Sequence, residues 1–128
     1  MRPLVDAHTL IWAVDDPSRL SAAALAVLQD PSNELLLGAG TMWELAIKCG
    51  LGKLVLSQSF RMWMTKAILD LNASVLPVAV AYADAQISLP NHHKDPFDRL
   101  LIAQAMVENE PVVSADVIFD LYGIKRIW

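Results

Sequence analysis

The chain has 128 residues, of which 55% are hydrophobic and 19% charged, and this composition excludes a disordered or fibrous protein. We expect one domain spanning residues 1–128. A formal net charge of −4 argues against broad electrostatic attraction to nucleic acid, although bound cations would offset part of the acidic excess. The single cysteine, Cys49, excludes a disulfide framework and a cysteine-rich metal site. Neither a signal peptide nor a membrane span is recognisable, so we expect a cytoplasmic protein with no membrane contact.

Short apolar segments alternate with helical patterns along the chain. In chain order we predict a strand over 3–6, helices over 7–14 and 22–29, a strand over 34–37, helices over 41–50 and 58–71, a strand over 73–78, helices over 80–89 and 96–109, a strand over 111–114, a helical turn and a possible edge strand over 124–128. Three helices have recognisable starts: Ser21 as N-cap, the capping-box pattern from Thr41 to Glu44, and Asp95-Pro96. Strands alternating with helices predict an α/β fold in three layers, with a central, mostly parallel sheet of four to five strands flanked by helices.

Four acidic residues lie at the ends of predicted strands or in a first helical turn. Asp6 ends the first strand, and Asp116 lies two residues past the fourth. Glu44 and Asp98 each open a helix. Because sites in open parallel sheets form beyond the carboxyl ends of strands, we expect these carboxylates to converge at one edge. Asp98 also shares a helix face with apolar residues, where a carboxylate is costly unless something neutralises it.

Each carboxylate also has an interpretation that needs no metal. Asp6 could cap the helix that follows it, and Asp116 could be a turn residue. Glu44 completes the capping box and could pair with Lys48. Asp98 would favour the dipole of its helix. Taken one at a time these signals are weak, and only the shared location favours a common metal.

The residue types suit Mg²⁺, which prefers hard oxygen ligands and keeps several of its waters. A metal-bound water with a lowered pKa attacks phosphorus, while the cation offsets charge on the phosphate oxygens. The sequence therefore predicts a divalent-metal hydrolase of phosphodiester bonds. Its catalytic and metal-binding residues would be Asp6, Glu44, Asp98 and Asp116.

Neighbouring polar residues could support this site. The Ser114 hydroxyl, two residues before Asp116, could orient a carboxylate or a metal-bound water. Asp95 is the N-cap of the helix that carries Asp98, and Arg99 could pair with Asp95 or contact a phosphate. The sequence leaves the two roles of Arg99 open.

Histidines and tryptophans favour simpler roles. His92-His93 resembles a metal pair, but adjacent residues point apart, so a solvated loop that touches RNA phosphate is favoured. For His8 we favour packing over a hydrogen bond near the site. For the tryptophans (Trp12, Trp43, Trp63 and Trp128) core or interface packing is favoured over base stacking. Met62-Trp63-Met64 points around much of a helix, so one of these side chains should face a partner helix.

With these residues assembled, the chain resembles VapC-type PIN-domain toxins of type II toxin–antitoxin systems over nearly its whole length. The segments that carry the resemblance are residues 4–12, 43–48, 92–105, 114–116, 122–123 and 127–128, with 92–105 the most specific. The resemblance implies a Mg²⁺- or Mn²⁺-dependent endoribonuclease that cleaves cellular RNA, with the four carboxylates as its acidic site. It also implies a homodimer and a small antitoxin protein that wraps the toxin and directs a basic side chain toward the site.

The chain departs from that branch of the family at a few positions. Ala7 stands where threonine is common, residues 38–41 contain less serine than expected, and Ser114 replaces threonine. Fewer hydroxyls would loosen the support of the carboxylates, but all four carboxylates are intact.

Other functions fit less well. A phosphoacceptor receiver domain would need adjacent acids directly after the first strand, and this chain lacks them. A haloacid-dehalogenase-like phosphatase would need an acid where His8 stands. A 5′ flap nuclease has little room here for clamping helices. A non-catalytic PIN-type binding or scaffold module remains the alternative, and the sequence does not identify the RNA target.

Overall fold

Five short parallel strands form the centre of the chain, in a computed structural model that describes residues 1–128. The strands are β1 (Leu4–Val5), β2 (Leu36–Gly38), β3 (Ser74–Leu76), β4 (Val112–Val113) and β5 (Arg126–Ile127). Their spatial order is β3-β2-β1-β4-β5, so β1 is central and β5 is an edge strand. All four neighbouring pairs are parallel, and helices cover the sheet. The predicted three-layer α/β fold is confirmed.

Six α-helices and two 3₁₀ segments connect the strands. They are α1 (Ala7–Asp15), a 3₁₀ segment (Pro17–Arg19), α2 (Ala22–Gln29), α3 (Ala39–Gly50), α4 (Phe60–Asp70), α5 (Val80–Ile87), α6 (Pro96–Glu108) and a second 3₁₀ segment (Val117–Tyr122). The predicted N-caps are present: Ser21 accepts from the Ala24 N–H at 3.0 Å, and Asp95 accepts from the first turn of α6. None of the helices has the length and apolar character needed to cross a membrane.

Successive residues of β1 contribute to two hydrophobic cores on opposite faces of the sheet. Leu4 packs in the core formed with α5 and α6, and Val5 in the core formed with α1 to α4. The side chains of a strand alternate between its two faces, so one two-residue strand serves both layers. Burying an aliphatic side chain of this size contributes about 1.5–3 kcal/mol to the stability of the fold, so even a two-residue strand holds its place in the sheet.

The start of α3 differs from the prediction. The helix begins at Ala39, directly after β2, so the capping-box interpretation of Thr41 is wrong and Glu44 lies in the second turn. The N-cap is Gly38, so α3 starts without a side-chain cap. At Gly40 the helix approaches α6 closely: a Cβ atom there would lie 2.5 Å from Cδ2 of Leu100.

The tryptophans fall into different environments. Trp63 is fully buried, as the packing interpretation predicted, and its indole N–H donates to Asp15 at 2.9 Å. Trp43 is 67% exposed, so it does not pack in the core of the chain, and the interface alternative stays a prediction for this residue. Met62 is the exposed member of the segment 62–64, as expected for a side chain that faces outward to a partner.

Asp15 joins the end of α1 to the start of α4. Its carboxylate accepts from the Ser57 backbone N–H, the Ser57 hydroxyl and the Trp63 indole. Partial burial works against ionisation, but these hydrogen bonds outweigh it and hold the pKa of Asp15 below its ordinary value. Ionised Asp15 therefore stabilises the fold.

We expect Asp15→Ala to lower the free energy of unfolding by about 1–3 kcal/mol at neutral pH, because it leaves the buried indole N–H of Trp63 without a partner. Because the pKa of Asp15 is lower in the folded than in the unfolded chain, its carboxylate stabilises the fold above the unfolded pKa. This stabilisation is lost as the pH falls through the folded pKa. The difference from wild type should thus shrink below about pH 4. Urea denaturation from acid to neutral pH measures it. Asp84→Ala, at an exposed position of α5 without hydrogen bonds, should change stability by less than about 0.5 kcal/mol, and an equal loss there would contradict the assignment.

Candidate active site

Asp6 and Asp116 lie together at the carboxyl edge of β1 and β4. Asp6 caps α1, where one carboxylate oxygen accepts from the Thr9 N–H at 2.8 Å. The Ser114 hydroxyl donates to the other oxygen and accepts from the Asp116 N–H at 3.0 Å. Asp116 caps the second 3₁₀ segment and is exposed. One serine thus orients the buried carboxylate of Asp6 and fixes the backbone that carries Asp116.

Thr9 is a supporting residue that the sequence did not reveal. Its side chain is fully buried, and its hydroxyl donates to the Val113 carbonyl at 3.0 Å. It therefore ties the first turn of α1 to the end of β4. The only sequence signal is a hydroxyl three residues after an N-cap, which is too common to single out.

A second acidic group lies where α3 meets α6. Glu44 is 7% exposed, and the Lys48 ammonium lies 2.7 Å from its carboxylate. Lys48 has a raised pKa, chiefly because of this hydrogen bond. Burial, together with the negative charges of Asp95 and Glu44, raises the pKa of Asp98 to about 6. The structure therefore brings Glu44, Asp95 and Asp98 close enough to interact electrostatically.

His93 is part of this second group, so the interpretation of residues 92–93 as a solvated loop is wrong for His93, whereas His92 is exposed. Its Nδ1 lies 2.6 Å from the Tyr122 hydroxyl, and its Nε2 lies 3.4 Å from a carboxylate oxygen of Asp98. The Nε2 atom is buried and forms no hydrogen bond. The imidazole is therefore held beside Asp98 by a contact with the last turn of the distant 3₁₀ segment, which no local sequence pattern predicts.

Arg99 has a structural role next to the site. Its guanidinium donates to the carbonyls of Pro90 at 2.8 Å and Leu89 at 3.3 Å, with longer contacts to Gln86, His93 and Tyr122. It contacts neither Asp95 nor any of the four carboxylates. Of the two interpretations that the sequence left open, the pair with Asp95 is not formed by the guanidinium, and the phosphate contact stays a prediction. Arg99 instead secures the loop that carries His93.

An open cavity of about 270 Å³ adjoins the first acidic group and is lined by Asp6, His8, Trp12, Ala115 and Asp116. His8 is exposed, and its ring centroid lies 5.8 Å from that of Trp12. The prediction of a packing role for His8 holds only for this contact. The acidic edge therefore continues into an aromatic surface.

The donor chemistry of the edge suits a hard divalent cation. All four residues offer carboxylate oxygens, and Asp6 is 7% exposed with no lysine or arginine nitrogen within 4 Å. A buried carboxylate without a counter-charge is what a cation would stabilise. As the side chains stand, no three of the histidine, cysteine, aspartate and glutamate residues lie close enough to hold an ion. The edge is thus chemically suitable but open.

Parallel strands with acidic caps at their carboxyl ends define the class of this protein as an α/β protein with an acidic edge site. The PIN domain family matches residues 4–125, and the chain belongs to this family. PIN domains are generally nucleases. No curated protein matches the sequence significantly.

Three solved structures with chains of similar fold are those of toxin–antitoxin complexes. VapBC2 from Rickettsia felis, bound to a DNA fragment from its promoter, has a chain with a TM-score of 0.71 and 14% identity, covering 98% of this chain and 97% of that one. VapBC-1 from nontypeable Haemophilus influenzae has a chain with a TM-score of 0.68 and 18% identity, covering 98% of this chain and 96% of that one. FitAB bound to an IR36 DNA fragment has a chain with a TM-score of 0.61 and 17% identity, covering 96% of this chain and 92% of that one. At these identities the likeness shows the fold.

The raised pKa of Asp98 predicts a pH-dependent stability in metal-free buffer. Between the ordinary value of 3.8 and about 6, the folded chain binds a proton that the unfolded chain releases, so wild-type stability falls as pH rises through this window. Asp98→Asn lacks the carboxyl and should gain on wild type over the same window, by on the order of 2 kcal/mol at neutral pH. Thermal denaturation in EDTA measures the difference. Asp84→Asn should show no such trend, and a pH-independent difference for Asp98→Asn would contradict the assignment.

Proposed function

We propose that the chain is a metal-dependent endoribonuclease and the toxin of a toxin–antitoxin pair. The observation that carries the proposal is the acidic edge of a PIN domain, where Asp6 and Glu44 are buried and Asp98 is partly buried with a raised pKa. A carboxyl group whose pKa is raised by burial and by neighbouring carboxylates is typical of a catalytic site, and sites in open parallel sheets form beyond the carboxyl ends of the strands.

Mg²⁺ or Mn²⁺ would be held by Asp6, Glu44, Asp98 and Asp116, and when bound it would activate water and offset charge on the phosphodiester. Neighbouring residues of the chain orient these carboxylates. Ser114 orients Asp6 and the backbone at Asp116. Asp95 has its carboxylate on the first N–H groups of α6, which fixes the turn that presents Asp98. With a pKa of about 6, Asp98 is mostly ionised at neutral pH and available as a ligand.

Lys48 would affect how this site meets a phosphate and a cation. Its ammonium neutralises Glu44 and, at 40% side-chain exposure, remains accessible at the surface. It would reduce the repulsion between the acidic edge and an approaching phosphate. A direct lysine–carboxylate pair also competes with a cation for Glu44, so binding of a metal would require this ion pair to rearrange.

The proposed partners are RNA, an antitoxin and a second copy of the chain. The likeness to chains of VapBC and FitAB structures supports an antitoxin partner. Large apolar side chains are exposed on the outer faces of α3 and α4 and just after α3, and these surfaces are suited to association: Trp43, Leu51, Met62 and Leu69. We propose that the antitoxin and the homodimer interface cover apolar surfaces of this kind.

A non-catalytic binding module is the alternative, and one observation favours it: no three candidate ligands lie close enough to hold an ion as placed. The two functions make opposite demands on the carboxylates. A nuclease needs them for turnover, whereas a scaffold would retain its biological effect without them.

We expect purified wild-type protein to cut total RNA in Mg²⁺ or Mn²⁺ but not in EDTA. Asp6→Asn and Asp98→Asn should each lower the cleavage rate by at least about 100-fold, because each removes a negative ligand worth roughly 3 kcal/mol to the transition state. Growth arrest on expression should be lost in parallel. Asp84→Asn, which changes a carboxylate on exposed α5, should cleave like wild type.

Circular dichroism of each variant verifies that the fold is intact. Metal-independent cleavage would contradict the cation. A folded Asp98→Asn protein with full activity would overturn the acidic site. Growth arrest that persists in both Asp→Asn variants would favour the binding module.

A further inference from the structure

Three aromatic rings from the two ends of the chain form a continuous series beside the acidic edge. The centroid of His8 lies 5.8 Å from that of Trp12, and Trp12 lies 5.7 Å from Trp128. The interplanar angles are 45° and 53°, so the rings are tilted and do not cover one another as a closed stack would. His8 is exposed, and both tryptophans are partly exposed.

The rings do not have the contacts of a packing cluster. Neither the indole N–H of Trp12 nor that of Trp128 has a hydrogen-bond partner in the chain, whereas buried Trp63 donates to Asp15. His8 forms no side-chain hydrogen bond either. Trp12 and Trp128 also lie outside the buried residues of both hydrophobic cores. Their indole N–H groups and the exposed parts of their rings are therefore available to a ligand.

The position of the rings relates them to the acidic site. His8 and Trp12 line the same 270 Å³ cavity as Asp6 and Asp116. Trp128 follows β5, whose Ile127 pairs with Val113, the residue before Ser114. A nucleotide whose phosphate lies at the carboxylates would thus have its neighbouring bases within reach of the rings.

The charge on this surface suits a nucleic acid backbone. The guanidinium of Arg19 lies over the ring of Trp12, 5.1 Å from its centroid. Arg19 is exposed, and no carboxylate lies within 4 Å of it, in contrast to Arg2 and Arg126, which are paired. A chain with net charge −4 therefore places an unpaired cation where an aromatic surface adjoins the site.

We propose that His8, Trp12 and Trp128 form a base-stacking platform, with Arg19 contacting the backbone, for unpaired nucleotides of the RNA substrate. The proposal rests on the proposed ribonuclease function and adds the residues that would hold the bases next to the acidic site. Aromatic faces accept bases that are free to stack on them, so the platform selects single-stranded segments or loops over regular duplex. Arg19 and the rings together attract a strand that the acidic edge alone would repel.

The test measures binding of a fluorescently labelled single-stranded RNA of mixed sequence by anisotropy, in Mg²⁺. The Asp98→Asn protein is used so that the RNA is not cut. Trp12→Leu added to this protein should weaken binding by about 5- to 150-fold, the range for loss of stacking on one base. Trp12→Phe keeps a ring and should lose less. Trp43→Leu removes an exposed tryptophan outside the platform and should change nothing.

A second arm identifies stacking itself. In a set of RNAs, each nucleotide in turn is replaced by an abasic ribose. At one or two positions, removing the base should weaken binding to the protein that retains Trp12 as much as Trp12→Leu weakens binding of intact RNA. Making both changes together should lower the affinity no further than either change alone. A matched duplex of the same sequence should bind the Trp12→Leu protein and the Trp43→Leu control alike, without this coupling.

The outcomes separate the platform from the nuclease. Additive effects of the abasic and Trp12→Leu changes, in folded protein, would overturn the platform. A changed oligomeric state in Trp12→Leu without that coupling would assign the rings to an interface between copies. If Trp12→Leu does not fold, Trp12→Phe and His8→Ala decide through the same abasic series. If wild type cleaves RNA but the abasic and Trp12→Leu changes are not coupled, only the platform proposal is rejected. If they are coupled but wild type does not cleave RNA, only the nuclease proposal is rejected. If the protein does not bind RNA, both proposals are rejected.

Discussion

The hydrogen bonds of Ser114 connect the two adjacent central strands to the acidic edge. Its hydroxyl is fully buried between the carboxylate of Asp6 and the N–H of Asp116, so it acts as donor and acceptor at once. This arrangement requires β1 and β4 to be neighbours in parallel, with Val5 opposite Val113. The two-residue strands therefore suffice for the site, because what matters is where they end.

The other half of the site depends on how closely two helices approach. Gly40 leaves no room for a side chain against Leu100, which brings α3 beside the first turn of α6. Glu44 and Asp98 then share one region, and their mutual repulsion contributes to the raised pKa of Asp98. The same glycines that depart from the serine expected in this family branch are thus the condition for placing the second pair of carboxylates. A loss of local hydroxyls is offset by a closer helix contact.

The sequence predicted features that depend on neighbouring residues. The caps at Ser21 and Asp95, the order of the strands and helices, and the parallel sheet all follow from local patterns, and they agree with the structure. The site was less accessible, because it depends on residues distant in sequence. The capping box at Thr41 looked sufficient locally, but the strand–helix junction at Gly38 starts the helix earlier.

The same limit explains contacts that the sequence did not predict. His93 meets Tyr122, 29 positions later, and Trp12 meets Trp128 at the other end of the chain. Neither contact has a periodic signal, and single-sequence reasoning therefore favoured a solvated loop and simple packing. For Arg99 the sequence left open a pair with Asp95 or a contact with phosphate. In the structure its guanidinium instead donates to backbone carbonyls of the loop, which need hydrogen-bond partners.

The electrostatics of the edge couple folding to the proposed activity. Without a cation, Asp98 is destabilised by burial and by two neighbouring carboxylates, and Glu44 relies on Lys48. A divalent ion at the edge would relieve both costs, so the free energy lost in the metal-free fold would return as binding affinity. It would also release Lys48 from Glu44 and leave a basic side chain for the phosphate. Together with Arg19 over Trp12, the middle ring of the aromatic series, this would give an acidic protein two local cations on the proposed path of an RNA strand. A net negative charge is therefore compatible with a nuclease, since attraction is confined to the positions where the strand would lie.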